Sequence, residues 1–151
     1  MPEKLKNINT ELLFEVFGHD DEIICDMIDI FVPMAEEYHK EIIANYKSKN
    51  WFELGLVTHK AKASCRTMGL KDLGNCIDNI ENNAKGIAYN ELDENRDLSH
   101  DNEKLYKAML REGQQHGDTE IIEKEMEFFN ENYLDALEEV KWFKKNIKNY
   151  I

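Results

Sequence analysis

A chain of 151 residues suits one domain with a real core and is short for two. Hydrophobic residues at 42% suffice for that core, while 33% charged residues, and no apolar run near the ~20 residues of a membrane span, argue against a membrane protein. With 31 Asp and Glu against 19 Lys and Arg, the net charge of −12 repels a phosphate backbone, so a protein or small ligand is the expected partner and nucleic acid is not.

The first residues, Met1 to Lys6, lead straight into an amphipathic segment without a secretory apolar core, which makes the cytoplasm the expected location. Cys25, Cys65 and Cys76 are odd in number and widely spaced. They suggest neither a zinc site nor a disulfide framework, only reduced, packed thiols.

Helical periodicity dominates, and strand-like alternation is not sustained anywhere. Asn9 or Thr10 can cap a short helix ending near Gly18, and Asp20 or Asp21 can cap the next, with Glu22 at its positive end. This second helix is expected over about 21–46, with an apolar stripe of Ile24, Met27, Ile28, Phe31, Ala35, Tyr38, Ile42 and Tyr46. Pro33 should bend it without ending it, because the stripe resumes in phase. A third helix over about 51–68 and a fourth over about 70–84 meet near Gly69, and so short a link implies antiparallel neighbours. Leu70, Leu73, Ile77, Ile80 and Ala84 give the fourth helix a seam. Residues 85–117 are polar and read as an inserted connection, with a weak helical pattern around Leu105, Met109 and Leu110. From Thr119 onward Ile122, Met126, Phe129, Tyr133, Leu137, Val140, Phe143 and Ile147 mark a long closing helix. The expected fold is all-α, an antiparallel four-helix bundle in one domain over 1–151, with a short N-terminal helix. Its core lies at about 10–84 and 119–150.

The third helix carries the candidate chemistry. At about 100° per residue, Leu54, Val57, Ala61, Cys65 and Met68 share one face, and His59 falls roughly 160° from its centre, toward solvent. Gly55 and Ala63, one turn before and after, would let a partner approach the imidazole closely. No acid occurs between Leu54 and Lys71, whereas Lys60, Lys62, Arg66 and Lys71 are basic, a positive island suited to a phosphoryl group. Phe52 and Leu56 add apolar area for docking. Ser64 lies nearer the core side, where back-bonding to its own helix is its expected role.

The stretch from His59 to Leu70, HKAKASCRTMGL, resembles the signature of histidine phosphotransfer domains, usually H-x-L-K-G-S with a glycine ten residues after the histidine. His59, Lys62, Ser64 and Gly69 match in type and spacing, and Phe17 to Glu22 with the following helix resembles the family's lead-in, so the similarity spans roughly Thr10 to Ala84. Ala61 and Ala63 depart from the family's leucine and glycine. The resemblance implies that His59 accepts a phosphoryl group from a receiver-domain aspartate and passes it to another receiver, with Lys62 pairing the phosphoryl oxygens. Phe52, Gly55, Leu56, Ala63 and Arg66 would face receiver domains of a hybrid sensor kinase or a response regulator. The receiver would supply magnesium, and the chain would be a phosphocarrier with no cofactor, no metal and no kinase activity of its own.

Two other readings compete. A helical adaptor would keep the fold and dock a partner without phosphorylation. A di-metal bundle would use Glu36 and His39, spaced Glu-x-x-His, but no second such pair exists, and Glu112 and His116 are one residue too far apart.

Overall fold

The computed structural model describes residues 5–95 and 117–151, and among these every regular element is helical. The order is α1 (Thr10–Phe17), α2 (Asp21–Lys47), α3 (Trp51–Thr67), α4 (Lys71–Asn95), α5 (Thr119–Asn146) and a short 3-10 turn, Ile147–Asn149. Helices α1, α2 and α5 begin where local chemistry supplies an acceptor for orphan amides. Asn9 Oδ1 accepts from the amides of Glu11 and Leu12, Asp20 Oδ1 from that of Ile23, and Asp118 Oδ1 from that of Glu120.

Cross-helix pairs fix the directions. His59 meets Glu81 and Arg66 meets Asn75, so rising numbers on α3 match falling numbers on α4. Asn83 bonds the amide of Asp118 while Cys76 bonds the carbonyl of Glu125, so α4 and α5 also run antiparallel. Tyr133 Oη donates to the carbonyl of Ala35, and Lys144 pairs with Asp29, which sets α5 antiparallel to α2. With α2 packed on α3, the four long helices close a ring. Every residue of the expected α5 stripe is buried, as is the seam from Leu70 to Ala84 and the α3 face of Leu54, Val57, Ala61, Cys65 and Met68. On α2, Ile24, Ile28, Phe31, Ala35 and Ile42 are buried, while Met27, Tyr38 and Tyr46 pack at the edge. Pro33 lies inside α2, and the helix continues through it.

The fourth helix departs from the expected boundary. Residues 85–95, assigned above to the polar connection, continue α4, and Lys85 and Ala88 are buried. The seam carries on through small residues, Ala84 and Ala88, and through a lysine whose charge is paired. Alanine signals burial only weakly in a hydropathy pattern, and lysine not at all. The rest of that connection, with Leu105, Met109, Leu110, Glu112 and His116, lies outside the described residues.

Gly69 ends α3 and does more. Its φ of 76° lies in the left-handed region that suits glycine, and a Cβ there would stand 2.7 Å from the Asn9 carbonyl oxygen. The Asn9 amide donates to the Gly69 carbonyl at 2.8 Å, so the segment before α1 is tied to the α3–α4 turn.

Candidate functional site

The site forms where α3 lies along α4. His59 keeps 56% of its side chain exposed, although its Nδ1 is 2.9 Å from Oε2 of Glu81. Glu81 is buried, and two lysines neutralise it: Lys62 Nζ is 2.6 Å from Oε1, and Lys85 Nζ bonds Oε2. Lys62 also pairs with Asp78 at 3.1 Å and retains 14% exposure. Burial favours a neutral Glu81, but the hydrogen bonds from Lys62, Lys85 and His59 outweigh it and hold the carboxyl below its usual range. Burial likewise pulls Lys62 down, and its bonds to Glu81 and Asp78 reverse that and raise it. Both partners shift toward their charged forms, as a mutually satisfied pair requires.

This geometry fixes how the ring is used. A carboxylate only accepts, so Nδ1 carries the hydrogen, and in the neutral ring the lone pair is then on Nε2. The side chain is then oriented, partly exposed and nucleophilic at one defined atom.

The other expected site residues divide. Ala63, Lys60 and Arg66 are exposed around His59, and Phe52 and Leu56 are half-buried, with Phe52 packed against the core. Gly55 is buried, which corrects its placement on the open surface. It lies on the stripe Trp51, Gly55, Thr58, Lys62, spaced by four, three and four residues, the side from which α3 reaches α4. A wheel centred on one core face could not show that α3 buries a second flank. Arg66 leans toward α4 as well, donating to Asn75 Oδ1 at 3.3 Å and lying 3.9 Å from Asp78. Gly74 makes room for it, since a Cβ there would come within 2.6 Å of Arg66 Cγ. Of the positive island, Lys62 and Arg66 are therefore met by Asp78 and Glu81 from α4. Ser64 Oγ donates to the carbonyl of Lys60, the back-bonding expected of it.

Sequence reasoning missed Asp78, Glu81 and Lys85. A signal existed: the three fall at steps of three and four on one face of α4, and Glu81–Lys85 is an i,i+4 pair. What the chain could not say is that this face meets His59.

Elsewhere, His39 stacks against both Phe129 and Tyr133 at centroid distances of 5.6 and 5.5 Å, and burial lowers its proton affinity. Glu36 pairs with Lys141. Among the described residues no cluster of three or more His, Cys, Asp or Glu could hold a metal ion, and no helix is long and apolar enough to cross a membrane. All three cysteines are free, with Cys65 pushed up to about 12 by burial. Compared with protein-family models, curated proteins and solved structures, the chain finds no match.

Proposed function

We propose that this chain is a cytoplasmic phosphocarrier of the histidine phosphotransfer kind, taking a phosphoryl group from a receiver-domain aspartate onto His59 and handing it to a second receiver. The observation that carries the reading is the His59 ring, more than half exposed and held at Nδ1 by the buried Glu81. In the forward step the Nε2 lone pair forms the N–P bond while the P–O bond to the aspartyl carboxylate breaks, its electrons leaving on that oxygen. The Nδ1 hydrogen stays in place, so the phosphorylated ring is cationic and faces the Glu81 carboxylate. No proton has to depart. The second transfer returns the electron pair to Nε2. The motif shared with histidine phosphotransfer domains, from His59 to Gly69, points the same way, and Ala63 leaves the ring approachable. Receiver domains are the partners in this reading, and they supply the metal.

The test is incubation with phosphorylated receivers and with phosphoramidate, followed by detection of acid-labile phosphate. Wild type should label, and His59→Gln should not, with its melting temperature nearly unchanged because an exposed side chain contributes little to packing. Labelling of the variant would remove His59 from the reaction.

A second reading, an adaptor without phosphorylation, draws on α2. Ile23, Ile30 and Met34 are exposed at helical spacing. No Lys or Arg occurs between Lys6 and Lys40, so Glu22, Asp26 and Glu37 leave that stripe acidic at its borders. A basic amphipathic segment is the partner such a face would take. Binding retained by His59→Gln and lost in Ile30→Asp would favour this reading.

A further inference from the structure

Lys85 and His59 converge on one atom. The Nζ of Lys85 and the Nδ1 of His59 both bond Oε2 of Glu81, while Lys62 holds Oε1. Lys85 is itself buried, one helical turn beyond Glu81 on α4. One lysine already pairs with this carboxylate, so the second needs its own explanation.

A carboxylate bonded to an imidazole acts in two opposed ways. It orients the ring and fixes the hydrogen on Nδ1, which leaves Nε2 free to attack. Its negative charge also favours the imidazolium, which places a second proton on Nε2 and removes the nucleophile. The balance depends on the charge around the carboxylate. Glu81 carries one negative charge, and Lys62 and Lys85 bring two positive ones to it, Lys62 being shared with Asp78, which Arg66 approaches at 3.9 Å. Removing Lys85 takes one positive charge from the carboxylate oxygen that His59 bonds, and that change favours protonation of the ring. Among the described residues, the charged groups around His59 are Lys62 on α3 and Asp78, Glu81 and Lys85 on α4, with Lys60 and Arg66 exposed on α3 itself. No ion pair joins His59 to α2.

We propose that Lys85 is a positioning residue for His59: by neutralising Glu81 at Oε2 it lets the carboxylate hold Nδ1–H without drawing a second proton onto Nε2. The functional consequence rests on the reading of His59 as phosphoryl acceptor, but the effect on the ring does not. Lys85 need not touch the phosphoryl group or the partner. It acts through Glu81, and it separates the orienting role of that carboxylate from its charge.

The experiment is an NMR titration of the histidine ring nitrogens in the full chain, comparing wild type with Lys85→Met and Lys85→Arg. In the Met variant the pH of half-protonation of His59 should rise by about one unit, a tenfold change in proton affinity, while the Arg variant stays near wild type. Phosphate uptake from phosphoramidate by the Met variant should be slowed about tenfold at pH 6 and recover by pH 8–9. A purely structural role would lower the melting temperature and leave both pH profiles in place. Should Lys85→Met fail to fold, Lys85→Gln removes the charge and keeps a donor, with the same upward displacement expected. An unmoved midpoint in the uncharged variant overturns the proposal. If wild-type His59 takes up no phosphate at any pH, the phosphocarrier reading fails, and the titration still decides the role of Lys85.

Discussion

Among the described residues two glutamates are buried, and their surroundings could hardly differ more. Glu139 on α5 is 6% exposed and accepts from the amides of Asn7 and Ile8 at 2.8 and 3.0 Å and from the Asn7 side chain at 3.0 Å. Glu81 on α4 is 2% exposed, accepts from His59 and Lys85 at Oε2 and forms an ion pair with Lys62 at Oε1. Burying a carboxylate is costly in either place and is tolerated only because each one meets hydrogen-bond donors or cations. The donors at Glu139 are neutral and none of them titrates, so that carboxylate clamps the segment ahead of α1 to the bundle. The donors at Glu81 are titratable side chains, one of them a partly exposed imidazole. One buried acid holds structure, and the other is coupled to a reactive group.

The contrast breaks most visibly at Glu81. Glu81→Gln keeps the shape and removes the charge, leaving the His59 tautomer unfixed and Lys85 without this anion. Phosphate uptake by His59 should fall about tenfold to a hundredfold, the loss expected for a charge-assisted contact worth roughly 1.5–3 kcal/mol. The same substitution should change the acid profile of folding. A carboxyl held below its unfolded value stabilises the fold above that value and loses this contribution as pH falls through the folded one. Urea unfolding from about pH 5 to pH 3 should therefore cost wild type more stability than Glu81→Gln, and parallel profiles would contradict the ion-pair assignment.

Glu139→Ala should show the opposite pattern. It strands the buried amide of Ile8 and the half-buried donors of Asn7, so stability should drop by about 2–3 kcal/mol. Phosphate uptake by the folded protein should stay at the wild-type rate. A rate loss matching that of Glu81→Gln would erase the distinction between the two acids.

The smallest effect on the fold is expected at Ala63, which is exposed one turn beyond His59. Ala63→Leu should reduce exchange with a receiver through steric exclusion while leaving stability almost unchanged, and Ala63→Gly should preserve exchange at a cost of about 1 kcal/mol. With Gly55 buried, the burden of close approach falls on Ala63 alone. Full exchange by the leucine variant would place receiver docking elsewhere on the bundle.

The order of the helices was legible in the chain because it is written in local terms: Asn9 and Asp20 as caps, Gly69 as a stop, and apolar stripes at helical spacing from Ile24 to Ile42 and from Ile122 to Ile147. The outward placement of His59 followed from the same geometry, since one helix face determines its opposite. Three matters were decided only by tertiary structure. The α4 helix runs past Ala84 because small residues and a paired lysine can occupy a seam, and burial of that kind leaves only a weak hydropathic trace. Gly55 is buried because α3 is covered on a second flank, which its own periodicity does not reveal. The joining of His59, Lys62, Glu81 and Lys85 depends on the register of two antiparallel helices across some twenty residues of chain. Register is set by side-chain interlocking along the whole interface and not by any local residue, so the charges on α3 could be counted in the sequence while their partners could not.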